Sequence, residues 1–174
     1  MIILSLGSNL ASSYGDRFQN INLAISSLEA YGIQMLKKSS YYESPSYPNN
    51  KDPKFINIVV SVSTKLPPID LMSVLIFIEE NLERKRNKKN DPRTCDIDII
   101  DYNNKVIDFK YRNLDLKIPH EKMSYRNFVL IPLKEIAPDW KHPKTKENIN
   151  TLIEKLSEDD KNSVLKIDKN WYNA

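Results

Sequence analysis

Two aspartates, Asp96 and Asp98, stand two residues apart in the stretch NDPRTCDIDII, residues 90–100. Cys95, Ile97 and Ile99 alternate with Asp96, Asp98 and Ile100. In a β-strand residues i and i+2 point the same way, so the two carboxylates share one face and the apolar side chains take the other. Like charges that close repel unless something positive lies between them. A divalent cation is a natural answer: Mg2+ is usually held by one or two carboxylates, with phosphate oxygens and water completing its shell. Two metals sharing such a pair can clamp a phosphoryl transfer. The same pattern also suits the solvated face of an edge strand, and the pattern alone does not choose.

The neighbours of the pair bear on that choice. Arg93 lies three residues before Asp96, behind Pro92, which fixes the chain locally. Upstream lie Arg84, Lys85, Arg86, Lys88 and Lys89. A basic run is ordinarily a solvated loop, but this one leads straight into the acidic strand, where it suits a polyphosphate carrying its own Mg2+. Glu79 borders the apolar stripe of a helix, four residues after Leu75 and three before Leu82. That spacing serves equally a carboxylate that reaches solvent and one that takes hydrogen bonds from a polar ligand. Asn57, inside FINIVV, poses the same choice, because a buried amide needs backbone or ligand partners. His120, after Pro119, reads either as an exposed loop histidine or as a donor to phosphate, with Arg126 and Phe128 nearby. The GSN of residues 7–9 is a common way for a strand to end.

Elements that position these residues follow from periodicity. Residues 2–6 form a continuous apolar run and predict a central strand. Phe18, Ile21, Ile25 and Leu28 recur at helical spacing, with Gly32 as a stop signal. Residues 33–43 favour an extended form, and the Pro- and Asn-rich residues 44–53 predict a loop. Phe55–Ser63 is β-branched and strand-like. A second helix should begin at Pro67 or Pro68, with Leu71, Leu75, Ile78 and Leu82 as its stripe. After the Asp-bearing strand come a turn at Asn103 and Asn104, a short strand near residues 106–109, a helix within Asn127–Ile136 and another over residues 151–156. The order is the split βαβ arrangement βαββαβ. It predicts an α+β fold with a ferredoxin-like core, additional C-terminal strands and helices, and helices packed on a mainly antiparallel sheet.

The 174 residues, 40% of them hydrophobic, are one domain's length, and residues 1–174 are read as a single domain. The net charge of +3 does not point to nucleic acid or membrane, and no apolar run is long enough to span a bilayer. One cysteine, Cys95, excludes an internal disulfide and fits a reducing compartment. The opening MIILSLGSNL lacks the basic leader of a signal peptide and reads as a first strand, so a cytoplasmic protein is expected.

DPRTCDIDII resembles the signature of the 6-hydroxymethyl-7,8-dihydropterin pyrophosphokinase family, which typically reads G-P-R-x-x-D-[apolar]-D. LSLGSNL, SSYYESPSY, FINIVVSVST and IPHEKMSYRNFVLIPLKEIAPDWKHP resemble further blocks of that family, and in its order, over roughly residues 2–143. Such collinearity is more specific than any one motif. The resemblance implies transfer of pyrophosphate from ATP to the hydroxymethyl group of the pterin, with release of AMP. It implies that Asp96 and Asp98 bind two Mg2+ ions. Glu79, Arg86, Arg93 and His120 would then serve the ATP site, and Arg84 and Arg93 would be the arginines of a mobile catalytic loop. By the same likeness Phe55 and Phe128 sandwich the pterin ring and Asn57 bonds its edge. Ser44, Pro45 and Tyr47 form the pocket wall, and Arg126 lies near the pterin. The partners implied are these two small molecules, with no nucleic acid and no membrane, and a monomer is expected. Residues 87–91 and 46–53 are expected to order on ligand binding.

The chain also departs from the family pattern. Asn90 and Asp91 stand where the family usually has Trp-Gly before Pro-Arg, and that tryptophan closes over the pterin. The loop after Arg86 is about one residue short. Glu121 stands where an aromatic often follows Pro-His. Altered loop kinetics or weaker binding are the expected consequences, not a different reaction.

Two other readings compete. A different Mg2+-dependent phosphoryl-transfer enzyme or nuclease would use the Asp pair but would not need Phe55, Asn57 and Phe128 to converge on a small flat ring. A ferredoxin-like RNA-binding module would need exposed aromatics in particular strands; Tyr41 and Tyr42 match that poorly, and the Asp pair would repel RNA phosphates.

Overall fold

A computed structural model describes residues 1–86, 88, 90–111 and 114–168. Its main sheet holds β1 (Ile2–Ser8), β2 (Gln34–Lys38), β3 (Tyr42–Ser44), β4 (Phe55–Ser63), β5 (Asp96–Tyr102) and β8 (Leu165–Lys166). The order is β5-β1-β4-β3-β8, with β2 also on β4, and every pairing is antiparallel. Helices α1 (Arg17–Ala30) and α2 (Pro68–Asn81) are the two crossovers of the split βαβ core. A hairpin of β6 (Ile107–Tyr111) and β7 (Leu114–Ile118) follows, then α3 (Asn127–Ile136), α4 (Ile149–Glu154) and α5 (Glu158–Ser163).

The local reasons are visible in the residues. Asp16 caps α1 by accepting from the N–H groups of Phe18 and Gln19, while the Gln19 side chain returns to the Asp16 N–H. Such a reciprocal cap stabilises a helix start by about 1 kcal/mol. Gly32, at φ +72, turns the chain out of the helix in the left-handed conformation that costs glycine little. α2 starts at Pro68, whose missing N–H would have no partner in the first turn anyway. The extended run over residues 33–43 is divided, not continuous. Lys38 pairs with Val60 and Tyr42 with Asn57, so one extra residue is looped out between them. The Ser39 hydroxyl fills the gap by accepting from the Val59 N–H at 3.0 Å.

The two faces of the sheet have different fates. One face is apolar along its whole length: Leu4, Leu6, Ile58, Val60, Ile97 and Ile99 pack under the stripes of α1 and α2. The other face is apolar only at one end, where Ile3, Val59 and Ile100 meet Val129, Leu130 and Leu133 of α3, backed by Trp140, Ile149 and Leu152. A bulge in β5 brings Asp101 level with Ile3, where the carboxylate accepts from the Trp140 indole N–H at 2.8 Å. Beyond Ile3 and Val59 the same face turns polar, with Ser5, Gly7, Asn57, Asp96 and Asp98 in register. α3 thus covers the apolar half of this face, and the polar half lies beside Arg84, Arg93 and Arg126 instead.

Candidate active site

β5 is an edge strand, and both readings of its D-x-D pattern meet there. Ile97 and Ile99 are buried, while Asp96 and Asp98 are half-buried on the opposite face. Neither carboxylate is simply solvated. Asp96 Oδ1 accepts from Arg84 Nη1 at 2.6 Å, and Oδ2 from Arg93 Nε at 2.9 Å. Asp98 Oδ2 accepts from Arg126 Nη1 at 2.7 Å. Burial pushes the Asp96 carboxyl up, but Arg84 and Arg93 outweigh it and bring the group down to about 2.

Glu79 is 2% exposed, so it does not reach solvent. Its partners come from within the chain: the guanidiniums of Arg84 and Arg86, and the Ile97 N–H at 2.7 Å. Burial pushes its carboxyl up against the pull of Arg84 and Arg86, so its ionised form depends on those two arginines. Arg84 therefore joins two acids, Glu79 on α2 and Asp96 on β5. Met72, Ile76 and Glu79 of α2 line a cleft with Arg84, Arg86 and the Asp strand.

His120 lies beside this cluster, with Nε2 4.0 Å from Asp98 Oδ2. Burial lowers its pKa against the pull of Asp98. Nδ1 accepts from the Lys122 N–H at 3.1 Å, so the proton of the neutral ring sits on Nε2, the nitrogen facing Asp98. Glu121, at the position noted for its lack of an aromatic, is exposed and pairs with Lys117 at 2.6 Å.

On the next two strands the face carries a polar edge and an aromatic wall. Gly7 lies between Asp96 and Asn57 in register, and an added Cβ there would meet Asn57 Oδ1 at 3.3 Å and Phe55 Cδ1 at 3.4 Å. Asn57 Nδ2 donates to the Ser44 hydroxyl at 2.9 Å, so the amide is anchored from one side. Phe55 and Phe128 are both half-buried, and each lies under an arginine: Arg93 Cζ is 5.0 Å from the Phe55 ring centre, and Arg126 Cζ is 5.6 Å from that of Phe128. Ser44 is buried at the base of the loop over residues 44–53, whereas Pro45 and Tyr47 are exposed, Tyr47 to 83%.

Asn9 was not singled out from the sequence, and it holds the loops together. It is 2% exposed. Its Nδ2 donates to Ser46 Oγ at 3.1 Å and to the Pro53 carbonyl at 3.0 Å, and its Oδ1 accepts from the Arg93 N–H at 2.7 Å. The only signal was its place in GSN, directly after a buried strand. Of residues 87–91, Lys88, Asn90 and Asp91 are described, with the Lys88 N–H donating to Asp91 at 3.0 Å. The expected ordering segment over residues 87–91 includes Asn87 and Lys89, which lie outside the described residues.

The donor set fits a hard divalent cation. Asp96 and Asp98 offer carboxylate oxygens on one face, and each already holds a cationic side chain. Among the described residues no group of three or more His, Cys, Asp or Glu gathers, so the other ligands would be water or substrate oxygens, as Mg2+ prefers with a polyphosphate.

A split βαβ sheet with paired carboxylates, converging arginines and an amide-edged aromatic wall on its polar half-face suits a transferase acting on small molecules. The family described as 7,8-dihydro-6-hydroxymethylpterin-pyrophosphokinase (HPPK) matches residues 3–138, and the chain belongs to that family. A 2-amino-4-hydroxy-6-hydroxymethyldihydropteridine pyrophosphokinase of Synechocystis sp. is 37% identical over 88% of this chain and 75% of its own. The protein of the same name from Aquifex aeolicus is 37% identical over 82% of this chain and 83% of its own. The folic acid synthesis protein FOL1 of Dictyostelium discoideum is 41% identical over 82% of this chain, which spans only 20% of that longer protein. The crystal structure of wild-type Plasmodium falciparum HPPK-DHPS superposes with a TM-score of 0.70 at 18% identity, over 88% of this chain and 44% of that one, a likeness of fold.

Proposed function

We propose that this chain, as a single domain over residues 1–174, transfers the pyrophosphoryl group of ATP to the hydroxymethyl group of 6-hydroxymethyl-7,8-dihydropterin and releases AMP. The observation that carries the reading is the polar half-face of the sheet, where one strand separates Asp96 and Asp98 from Asn57 and Phe55. Adjacent strands are about 4.8 Å apart, so the acidic end and the amide end of the site are separated by roughly 10 Å. That spacing suits a triphosphate at one end and a flat heterocycle at the other, with reacting atoms between them.

Each group has a part in this reading. Asp96 and Asp98 would hold two Mg2+ ions, which supply charge neutralisation at the phosphates. Arg84 and Arg93, with Arg86 and His120, turn toward the phosphates and stabilise charge as it develops. His120 offers its Nε2 proton as a donor. Glu79 holds Arg84 and Arg86 in reserve and fixes the backbone of β5 at Ile97. Asn57 and Ser44 bond the heterocycle's edge, Phe55 and Phe128 enclose its faces, and Arg126, Pro45 and Tyr47 border it. The hydroxymethyl oxygen forms a bond to the β-phosphorus as the bond from that phosphorus to the α,β-bridging oxygen breaks. AMP leaves, and the hydroxyl proton is lost as the new ester forms. The loop over residues 46–53 closes to exclude water, which would otherwise compete for the phosphorus.

The reading takes the chain as a monomer with these two small molecules as its partners. The free, buried Cys95 is consistent with a cytoplasmic location. Among the described residues no helix is long and apolar enough to cross a membrane. The test is direct: Asp96→Ala and Asp98→Ala should each retain the fold and lose most of the transfer, and near-wild-type turnover in both would remove the metal assignment.

A further inference from the structure

Arg93 and Arg126 make parallel contacts. Arg93 binds Asp96 Oδ2 through Nε at 2.9 Å and Nη2 at 2.8 Å, and the same guanidinium lies 5.0 Å from the Phe55 ring centre. Arg126 binds Asp98 Oδ2 at 2.7 Å and lies 5.6 Å from the Phe128 ring centre. Each arginine thus joins one ring of the aromatic wall to one carboxylate of the acidic pair. We infer that these two guanidiniums are the protein's own occupants of the site, so that a flat heterocycle and a divalent cation enter by displacing the same two side chains. The inference rests on the reading of the site given above and adds how its two halves are linked.

Occupancy is exclusive at both ends of the Arg93 bridge, while Arg126 engages Asp98 through Oδ2 alone and must leave for a cation that takes both oxygens. A heterocycle stacked on Phe55 or Phe128 needs the ring face that a guanidinium now covers. A cation bound to Asp96 needs an oxygen, and Arg84 and Arg93 between them engage both. Because one guanidinium serves both partners, withdrawing it for either ligand clears the way for the other. Binding free energies are then coupled reciprocally, since each ligand meets a site partly emptied by the first.

The backbones are built to let only the side chains move. The Arg93 N–H is held by Asn9 Oδ1, and its carbonyl accepts from the Asn9 N–H at 3.0 Å. Arg126 caps α3, its carbonyl accepting from the Val129 and Leu130 N–H groups at 3.0 and 2.9 Å. Both anchors fix the Cα while the long side chain swings, so this exchange is separate from loop closure.

The test uses the full chain, Mn2+ as the metal without nucleotide, and 6-hydroxymethyl-7,8-dihydropterin. Pterin affinity is measured by fluorescence with and without saturating Mn2+, and Mn2+ affinity by electron paramagnetic resonance with and without pterin. Each ligand should tighten the other by the same factor, about fivefold or more. In Arg93→Gln and Arg126→Gln, Mn2+ alone should bind more tightly than in wild type and the linkage should fall toward one. Arg126→Lys keeps the charge on Asp98 but loses the planar cover of Phe128, so its linkage should also fall. Independent binding in the wild type, or undiminished linkage in both glutamine variants, would overturn the inference. Pterin that fails to bind the wild type even with Mg2+ and a non-hydrolysable ATP analogue would overturn the underlying reading as well, and the two failures are distinct.

Discussion

Asp96 and Asn57 stand level across the sheet with Gly7 between them. That register makes the site a matter of strand pairing more than of loop conformation. The carboxylate that would meet a metal and the amide that would meet a heterocycle are held at a separation fixed by one intervening strand. The missing side chain of Gly7 lets Asn57 Oδ1 and the Phe55 ring lie close over the strand between them.

Gly7→Ala should therefore injure the site and spare the fold. Its Cβ would meet Asn57 Oδ1 at 3.3 Å and Phe55 Cδ1 at 3.4 Å, so both must give way by a few tenths of an ångström. The KM for pterin should rise several-fold with the KM for ATP little changed, as steady-state kinetics in each substrate would reveal. Equal effects on both substrates would contradict this placement of the heterocycle.

Asn9→Ala should loosen two loops at once. The substitution leaves the Arg93 N–H without its acceptor, and leaves Ser46 and the Pro53 carbonyl with only each other. Leaving buried groups unpaired costs about 1–3 kcal/mol. Hydrogen exchange should quicken both in residues 44–53 and around Arg93, and the thermal midpoint should fall. Faster exchange in only one of the two segments would show that Asn9 does not join them.

The Asp96 carboxyl gives stability a pH dependence of known sign. Its value falls from 3.8 to about 2 on folding, because Arg84 and Arg93 outweigh the effect of burial. A group whose folded value is depressed contributes stability above its unfolded value, and that contribution is lost as pH falls through the folded one. At about 1.4 kcal/mol per unit this is about 2 kcal/mol, present above pH 3.8 and gone below pH 2. Relative to Asp96→Asn, the wild type should lose that much between these limits in denaturant titrations. A constant gap would refute the pairing.

Arg84 and Glu79 should behave as a unit. Arg84→Met strands a buried acid, and breaking a buried pair from one side costs about 3–5 kcal/mol. Adding Glu79→Gln to Arg84→Met should recover part of that loss, since the amide has no charge to strand. A double-mutant cycle in urea reads the coupling directly, and additive effects would mean that the two side chains act independently.

Much of the frame was legible because its signals are local. The stripe of Phe18, Ile21, Ile25 and Leu28, the prolines at 67 and 68 and the alternation around Asp96 each depend on a few neighbouring residues, and α1, α2 and β5 form there. The strand β7 was not read, since its alternation spans only five residues, and β8 is two residues long and exists through pairing with Tyr42 and Glu43. Within the site, the shared face of Asp96 and Asp98 follows from strand geometry. Spacing left Glu79 open between solvent and ligand, and its actual partners depend on where β5 and the loop after α2 meet. Asn9 was missed because its partners lie up to 84 residues away in sequence.

The most direct measurement is AMP release by the purified chain with ATP, Mg2+ and 6-hydroxymethyl-7,8-dihydropterin, omitting each in turn. The account predicts AMP and pterin diphosphate in equal amounts when all three are present, and neither when any one is left out. AMP formed without the pterin, or no AMP with all three present, would contradict it.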